Sequence, residues 1–281
     1  MVLDVLLPPR RALREPWLIA IASAVFVFAG VALELLMPSI HASAVIFAMV
    51  PAIPLVWMLL MHEEHAEENA CYRYASPLAG ERKFLECHER LILVFAWFFL
   101  GAILAYCACF AFLPDAAAQS VFADQINEVK TIQGIATQYA SDSVSATGRV
   151  FSEAKFWTLF THNLTVLALM FLFCLVYGVG SIYLLLWNAS IIGVVIGAKV
   201  KADGLAGFAT GFFGLFPHGI FEVAAYFVAS IAGGVISMAI ARIARRKCPR
   251  REIPMLAMDS AILVVLALVL LAIGSAIESS Y

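Results

Sequence analysis

Residues 215–242 read LFPHGIFEVAAYFVASIAGGVISMAIAR. Pro217 suits the first turn of a helix, where its missing N–H leaves no bond unmade. From His218 to Ala241 the run is apolar apart from His218, Glu222, Tyr226, Ser230, Gly233 and Ser237. These recur at spacings of three or four, which places them on one helix face. At about 1.5 Å per residue the run crosses a hydrocarbon core of about 30 Å. The basic residues from Arg242 onward end it. The fold follows from this stretch: a membrane-spanning helix carries a titratable pair and a small-residue groove on one face.

The whole chain agrees. Apolar residues make up 63% of it and charged residues 14%, against about 25% charged in a soluble domain. This composition belongs to an integral membrane protein whose first partner is the lipid bilayer. A net charge of −2 leaves no basic footprint for nucleic acid. The six cysteines, Cys71, Cys87, Cys107, Cys109, Cys174 and Cys248, show no C-x-x-C spacing and read as free thiols. No secretory cleavage layout is present; Arg10, Arg11 and Arg14 precede a full-length apolar span, expected to be a retained first helix.

The expected architecture is all-α: a polytopic membrane bundle of about seven spans in a single transmembrane domain, residues 1–281. The first span covers about Pro16–Met37, with Glu34 near its far end. The second covers about His41–Met61 and should be kinked by Pro51 and Pro54. A polar cytoplasmic loop, 62–90, follows. Its first residues carry His62 and His65 with Glu63, Glu64, Glu67 and Glu68, but Ala66 occupies the place a thermolysin-like H-E-x-x-H zinc helix would need for its second histidine. The segment reads as a solvated acidic helix, and no metal or cofactor is called for. The third span runs over about Leu91–Leu113. Residues 114–155 form an amphipathic outer cap, with Val121, Phe122, Ile126, Val129, Ile132 and Ile135 along one stripe. The apolar run Phe156–Val200 is twice the length of one span and breaks at Tyr177-Gly178-Val179-Gly180 into a fourth and a fifth. Residues 203–216, DGLAGFATGFFGLF, are too short to cross and read as a re-entrant or interfacial half-helix. The sixth span is the stretch quoted first, and the seventh covers about Met255–Ile277. Glu278 stands at its end.

With the N-terminus in the cytoplasm and the C-terminus outside, Lys130, Arg149, Lys155, Lys199 and Lys201 fall outside. The other 13 of the 18 lysines and arginines fall inside, as the positive-inside rule requires. The expected location is a multi-pass protein of the cell membrane.

Several polar groups then lie within the bilayer. Glu34, His41, His162, Asn163, His218, Glu222 and Glu278 fall in the outer half, and Asn188 lies nearer mid-depth. A charge at mid-bilayer costs on the order of 3 kcal/mol, so such groups face other helices or a wet cavity. His218 and Glu222, one turn apart, form the expected core of an intramembrane polar site that also takes in His162, Asn163, Asn188 and Glu34. The alternative is structural: polar groups near span ends reach interfacial water or tie helices together. The sequons at Asn163 and Asn188 lie in membrane spans and are not expected to be glycosylated.

Small residues repeat every four positions at Ala189, Gly193 and Gly197 and again at Ala229, Gly233 and Ser237. Such stripes let helix backbones approach closely in lipid. Packing of the fifth span on the sixth is expected, with a homo-oligomer contact as the rival.

No G-x-S-x-G, Walker or dinucleotide motif appears in context. Ser181 with His218 is a formal nucleophile and base, but the topology sets them at opposite ends of the bundle. No enzyme activity is expected.

The acidic run His62–Glu68, YGVGSIYLLLWNASIIG (Tyr177–Gly193) and PHGIFEVAAYFVASIAGG (Pro217–Gly234) together resemble the stage II sporulation protein M family, in particular its archaeal branch. The likeness extends from the second span to the seventh. H-G-x-x-E at His218–Glu222 and W-N-A-S at Trp187–Ser190 are its most specific parts. The resemblance implies a multi-spanning scaffold without catalytic residues. In spore-forming bacteria the family's member anchors a complex with cell-wall hydrolases that remodels the septum. The expected function is a non-enzymatic membrane scaffold in envelope or membrane remodelling with protein partners. The alternative is a channel or transporter with a pathway near His218, Glu222 and Asn188.

Overall fold

The computed structural model describes residues 7–37, 43–67, 80–142, 152–178, 180–244 and 253–280. Among them lie ten helices and no strand: α1 Pro9–Arg14, α2 Trp17–Leu36, α3 Ala44–Glu67, α4 Gly80–Phe112, α5 Asp115–Val121, α6 Ala123–Asp142, α7 Glu153–Tyr177, α8 Ile182–Asp203, α9 Leu205–Ala244 and α10 Ile253–Glu278. Six stretches are long and apolar enough to cross a membrane: Trp17–Leu36, Ile92–Phe112, Glu153–Tyr177, Ile182–Asp203, Leu205–Ser237 and Ala257–Glu278. The expected second span coincides with α3, whose shorter apolar part is Ala44–Leu59. Pro51 and Pro54 both sit inside that helix. The turn at Ser76-Pro77, the link over 143–149 and the basic cluster 245–251 lie outside the described residues.

The chain divides into two compact units, up to Ala105 and from Tyr106. In the first, α2 packs on α3 and on the first part of α4 through small residues. A Cβ on Gly30 would strike the Ala44 carbonyl and Ala48, and one on Gly101 would strike the Ala20 backbone. The Ser23 hydroxyl donates to the Phe98 carbonyl at 2.7 Å, which satisfies a buried polar group at the α2–α4 contact.

In the second unit α9 packs against α7, α8 and α10. Positive φ at Gly178 (72°) and Gly204 (62°) ends α7 and α8. Glycine enters that region without the Cβ clash other residues meet. The expected break at 177–180 is therefore real. The expected half-helix is not separate: Leu205 to Ala244 is one helix of 40 residues with Pro217 inside it. Pro217 removes only the bond to the Phe213 carbonyl, a loss that membrane helices tolerate. Two glycines of that stretch serve packing. Gly207 abuts the Lys199 backbone, and a Cβ on Gly211 would lie 3.3 Å from the Ile196 Cα. At about 1.5 Å per residue α9 is roughly 60 Å long, twice the hydrocarbon thickness.

Gly197 and Gly233 do not face each other. A Cβ on Gly197 would lie 2.9 Å from both the Cys107 carbonyl and the Phe110 Cβ. Gly233 faces the Phe171 carbonyl and Cys174 of α7. α8 and α9 do pack together, with Gly207 and Gly211, which precede the expected sixth span, against Lys199 and Ile196. Ala189, Gly193 and Ala229 are buried, and Ser237 is half-buried.

Beyond α4, Pro114 precedes the short α5, and α6 follows. Ala118, Val121, Phe122 and Gln125 are buried, and the Phe122 ring meets Phe110 at 5.6 Å and Tyr106 at 6.2 Å between centroids. Lys201 holds the turn: its Nζ donates to the Leu113 carbonyl at 2.9 Å and pairs with Asp115 at 2.5 Å.

Candidate functional site

Three helices of the second unit bring polar side chains together inside apolar surroundings. α7 begins where Ser152 caps it, its hydroxyl accepting the Lys155 N–H at 3.3 Å. Ten residues on, Asn163 lies on the buried face with Leu159, Leu167, Met170 and Cys174, the three- and four-residue spacing of a core-facing stripe. Asn163 Nδ2 donates to Glu222 Oε1 of α9 at 2.7 Å. The Tyr226 hydroxyl donates to Asn163 Oδ1 at 3.1 Å. One amide thus joins a carboxyl and a phenol that sit one turn apart on α9, and each of its two polar atoms has a partner. In lipid that is the condition for burying an amide at modest cost.

α10 closes the third side. A Cβ on Gly274 would lie 2.8 Å from Glu222 Cγ and 3.2 Å from the His218 carbonyl, so the missing side chain is what lets α10 approach α9 here. The end of α10 is fastened to the start of α7. Lys155 Nζ donates to the Glu278 carbonyl at 2.7 Å, and the Ser152 N–H donates to the Ser279 carbonyl at 3.3 Å. A lysine at a helix C-terminus meets unpaired carbonyls and the negative end of the helix dipole.

Of the residues expected at one site, Asn163 and Glu222 are in direct contact. His218 lies one turn away on α9, half-buried and within electrostatic reach of Glu278 and Lys155. It does not bond to Glu222, whose hydrogen-bond partner among the described residues is Asn163. Residues four apart share a helix face, but both side chains here are turned to different neighbours. His162 is on the exposed side of α7, its Nε2 4.0 Å from Glu128 of α6. Asn188 donates to the Leu184 carbonyl of its own helix at 2.8 Å and takes no part in the cluster. Glu34 belongs to the first unit, where its carboxylate accepts the Ala44 N–H at 2.5 Å; it caps the start of α3. His41 is outside the described residues.

Tyr226, Gly274 and Lys155 complete the cluster without having been assigned to it. Tyr226 carried a signal, its place one turn after Glu222 on the same face. Gly274 carried none, being a lone glycine in an apolar run. Among the described residues no group of three or more His, Cys, Asp or Glu side chains converges as a metal site would require. Ser181 is buried beside Cys174.

Six membrane-length apolar helices and an intramembrane carboxyl held by an amide define a multi-pass α-helical membrane protein. The chain belongs to the stage II sporulation protein M family, whose profile matches residues 91–280. The match begins at the third span, so the acidic run His62–Glu68 is not part of it. Comparison with curated proteins and with solved structures found no match.

Proposed function

We propose that this protein is a non-enzymatic scaffold of the cell membrane that organises partner proteins in envelope or membrane remodelling. The N-terminus is cytoplasmic and the C-terminus outside. The observation that carries this reading is the engagement of Glu222. Its carboxyl is committed to an interhelical bond with Asn163, and its Cγ lies where a Cβ on Gly274 would stand, an arrangement suited to fixing helix positions. The outer cap is the surface offered to partners: the first turns of α6 expose Asp124, Asn127 and Lys130. The excess of lysine and arginine on the cytoplasmic side supports the orientation.

The test places a photo-crosslinking amino acid at Asn127 or Lys130 in the native membrane, with a second set of membranes assayed for solute and ion flux after reconstitution. Discrete protein adducts from the outer face and vesicles that stay tight are the expected result. Flux that Glu222→Gln alters, without adducts, would replace the scaffold by the transport reading.

A further inference from the structure

We infer that α1 is a docking surface for an anionic phospholipid headgroup, whose phosphate lies between the guanidinium groups of Arg10 and Arg14. The inference does not depend on the scaffold reading. It starts from the way α1 is held. Ala12 is fully buried, and α1 packs against α2 and α3 of the first unit. With 3.6 residues per turn, Arg10 and Arg14 stand about 40° apart around the helix, and Ala12 lies on the opposite side. The unit fixes one face of α1 and leaves both arginines exposed on the other.

The charge on that face is not used within the unit. The acid that follows α1, Glu15, is turned to Arg11, with Nε and Oε2 3.6 Å apart. Among the described residues Arg10 and Arg14 form no ion pair. Residues four apart on a helix have their Cβ atoms about 6 Å from each other. Two planar guanidinium forks so placed can both reach the oxygens of one phosphate, the group they match in geometry and charge.

The occupant is a lipid because of the depth at which this face lies. Trp17 opens α2 and is exposed, as are Ile21, Val25 and Phe28 further along the same apolar span. A tryptophan at a span end sits at headgroup level. Arg14 precedes it by three residues, so their Cα atoms are at most about 10 Å apart. Between them Glu15 leaves helical geometry, with φ −123° and ψ 68°, which separates α1 from the span. The polar layer on each side of the hydrocarbon is about 5–8 Å thick, and an arginine stem spans that distance. Every phospholipid presents a phosphate there. In a zwitterionic headgroup its charge is offset by the headgroup's own amine, so paired guanidinium groups favour an anionic one. A soluble acidic partner would have to displace these headgroups to reach the same face.

The experiment uses the full chain in vesicles of phosphatidylcholine and phosphatidylglycerol, with one lipid or the other brominated on its acyl chains. Trp17 emission is the difference between the unaltered chain and Trp17→Phe. Brominated phosphatidylglycerol should quench it at least twofold more than brominated phosphatidylcholine at equal density. Arg10→Gln/Arg14→Gln should abolish that preference, and Lys130→Gln, on α6, should leave it intact. Arg10→Lys/Arg14→Lys keeps the charge without the fork and should retain only part of it. Equal quenching by the two lipids, or a preference unchanged in the glutamine chain, overturns the inference. A second measurement reads the tightest phosphatidylglycerol adduct by native mass spectrometry. It should fall at least threefold in the glutamine chain and withstand a hundredfold excess of inorganic phosphate. An adduct unchanged in the glutamine chain overturns the inference, and displacement by phosphate makes this a site for the free ion instead of a lipid surface.

Discussion

Asn163 and Glu222, 59 positions apart, are joined by one hydrogen bond of 2.7 Å between α7 and α9, and the amide is oriented for it by the Tyr226 hydroxyl. Substituting Asn163 by Leu keeps the volume but strips two buried groups of their partner. Unpaired buried groups cost about 1–3 kcal/mol in soluble proteins, while hydrogen bonds between membrane helices average about 0.6 kcal/mol. We expect Asn163→Leu to lower stability by about 1 kcal/mol. Glu222→Gln, which retains an oxygen acceptor at the same place, should stay within about 0.5 kcal/mol of the unaltered chain. Unfolding curves in mixed micelles read both. Equal losses for the two variants would mean that the carboxylate charge, not the shared bond, matters.

Gly274 tests the closeness of α9 and α10. An alanine Cβ would stand 2.8 Å from Glu222 Cγ, the movable part, and 3.2 Å from the His218 carbonyl, which is fixed in a helix. Overpacking of this kind costs about 1–3 kcal/mol. Gly274→Ala should sit at the low end and Gly274→Leu beyond it, and a Cys pair across α9 and α10 should crosslink less readily in the leucine chain.

Gly204 isolates backbone conformation from packing. Its φ is 62° and an added Cβ would meet nothing within 4 Å. Gly204→Ala should therefore cost about 1 kcal/mol from the left-handed backbone alone. Gly204→Asn should recover part of that, because asparagine visits this region more readily. A loss for Asn as large as for Ala would show that φ is not the deciding factor.

At the turn between α4 and α5, Lys201 and Asp115 form a pair of unequal worth. Asp115 has 78% of its side chain exposed and Lys201 29%, and Lys201 also holds the Leu113 carbonyl. Exposed pairs contribute about 0–1 kcal/mol. Asp115→Ala should leave protease resistance of the α4–α5 turn nearly unchanged, whereas Lys201→Ala should increase cleavage there severalfold.

Span positions were legible because burial in lipid demands long apolar runs, and glycines with positive φ mark the ends of α7 and α8. Continuity of α9 was not, since Pro217 reads equally as a helix start and as an interior residue. The partner of Glu222 was half legible. Its face was readable from Tyr226 and His218 at four-residue spacing, but which neighbouring helix it meets depends on packing between distant segments. What Gly197 and Gly233 meet was not legible for the same reason: small residues announce a close approach without naming what approaches. Asn188 stood out by depth alone, and its amide bonds to the Leu184 carbonyl of its own helix.

The order of synthesis gives the Asn163–Glu222 bond one more meaning. The ribosome delivers α7 before α9, so the amide is already in the bilayer when the carboxyl leaves the insertion machinery. The costly acceptor arrives to find a donor already in place, and Gly274 is brought up only afterwards. Reversing the two residues, Asn163→Glu with Glu222→Asn, keeps the same pair of groups but sends the acid in first, with nothing yet there to meet it.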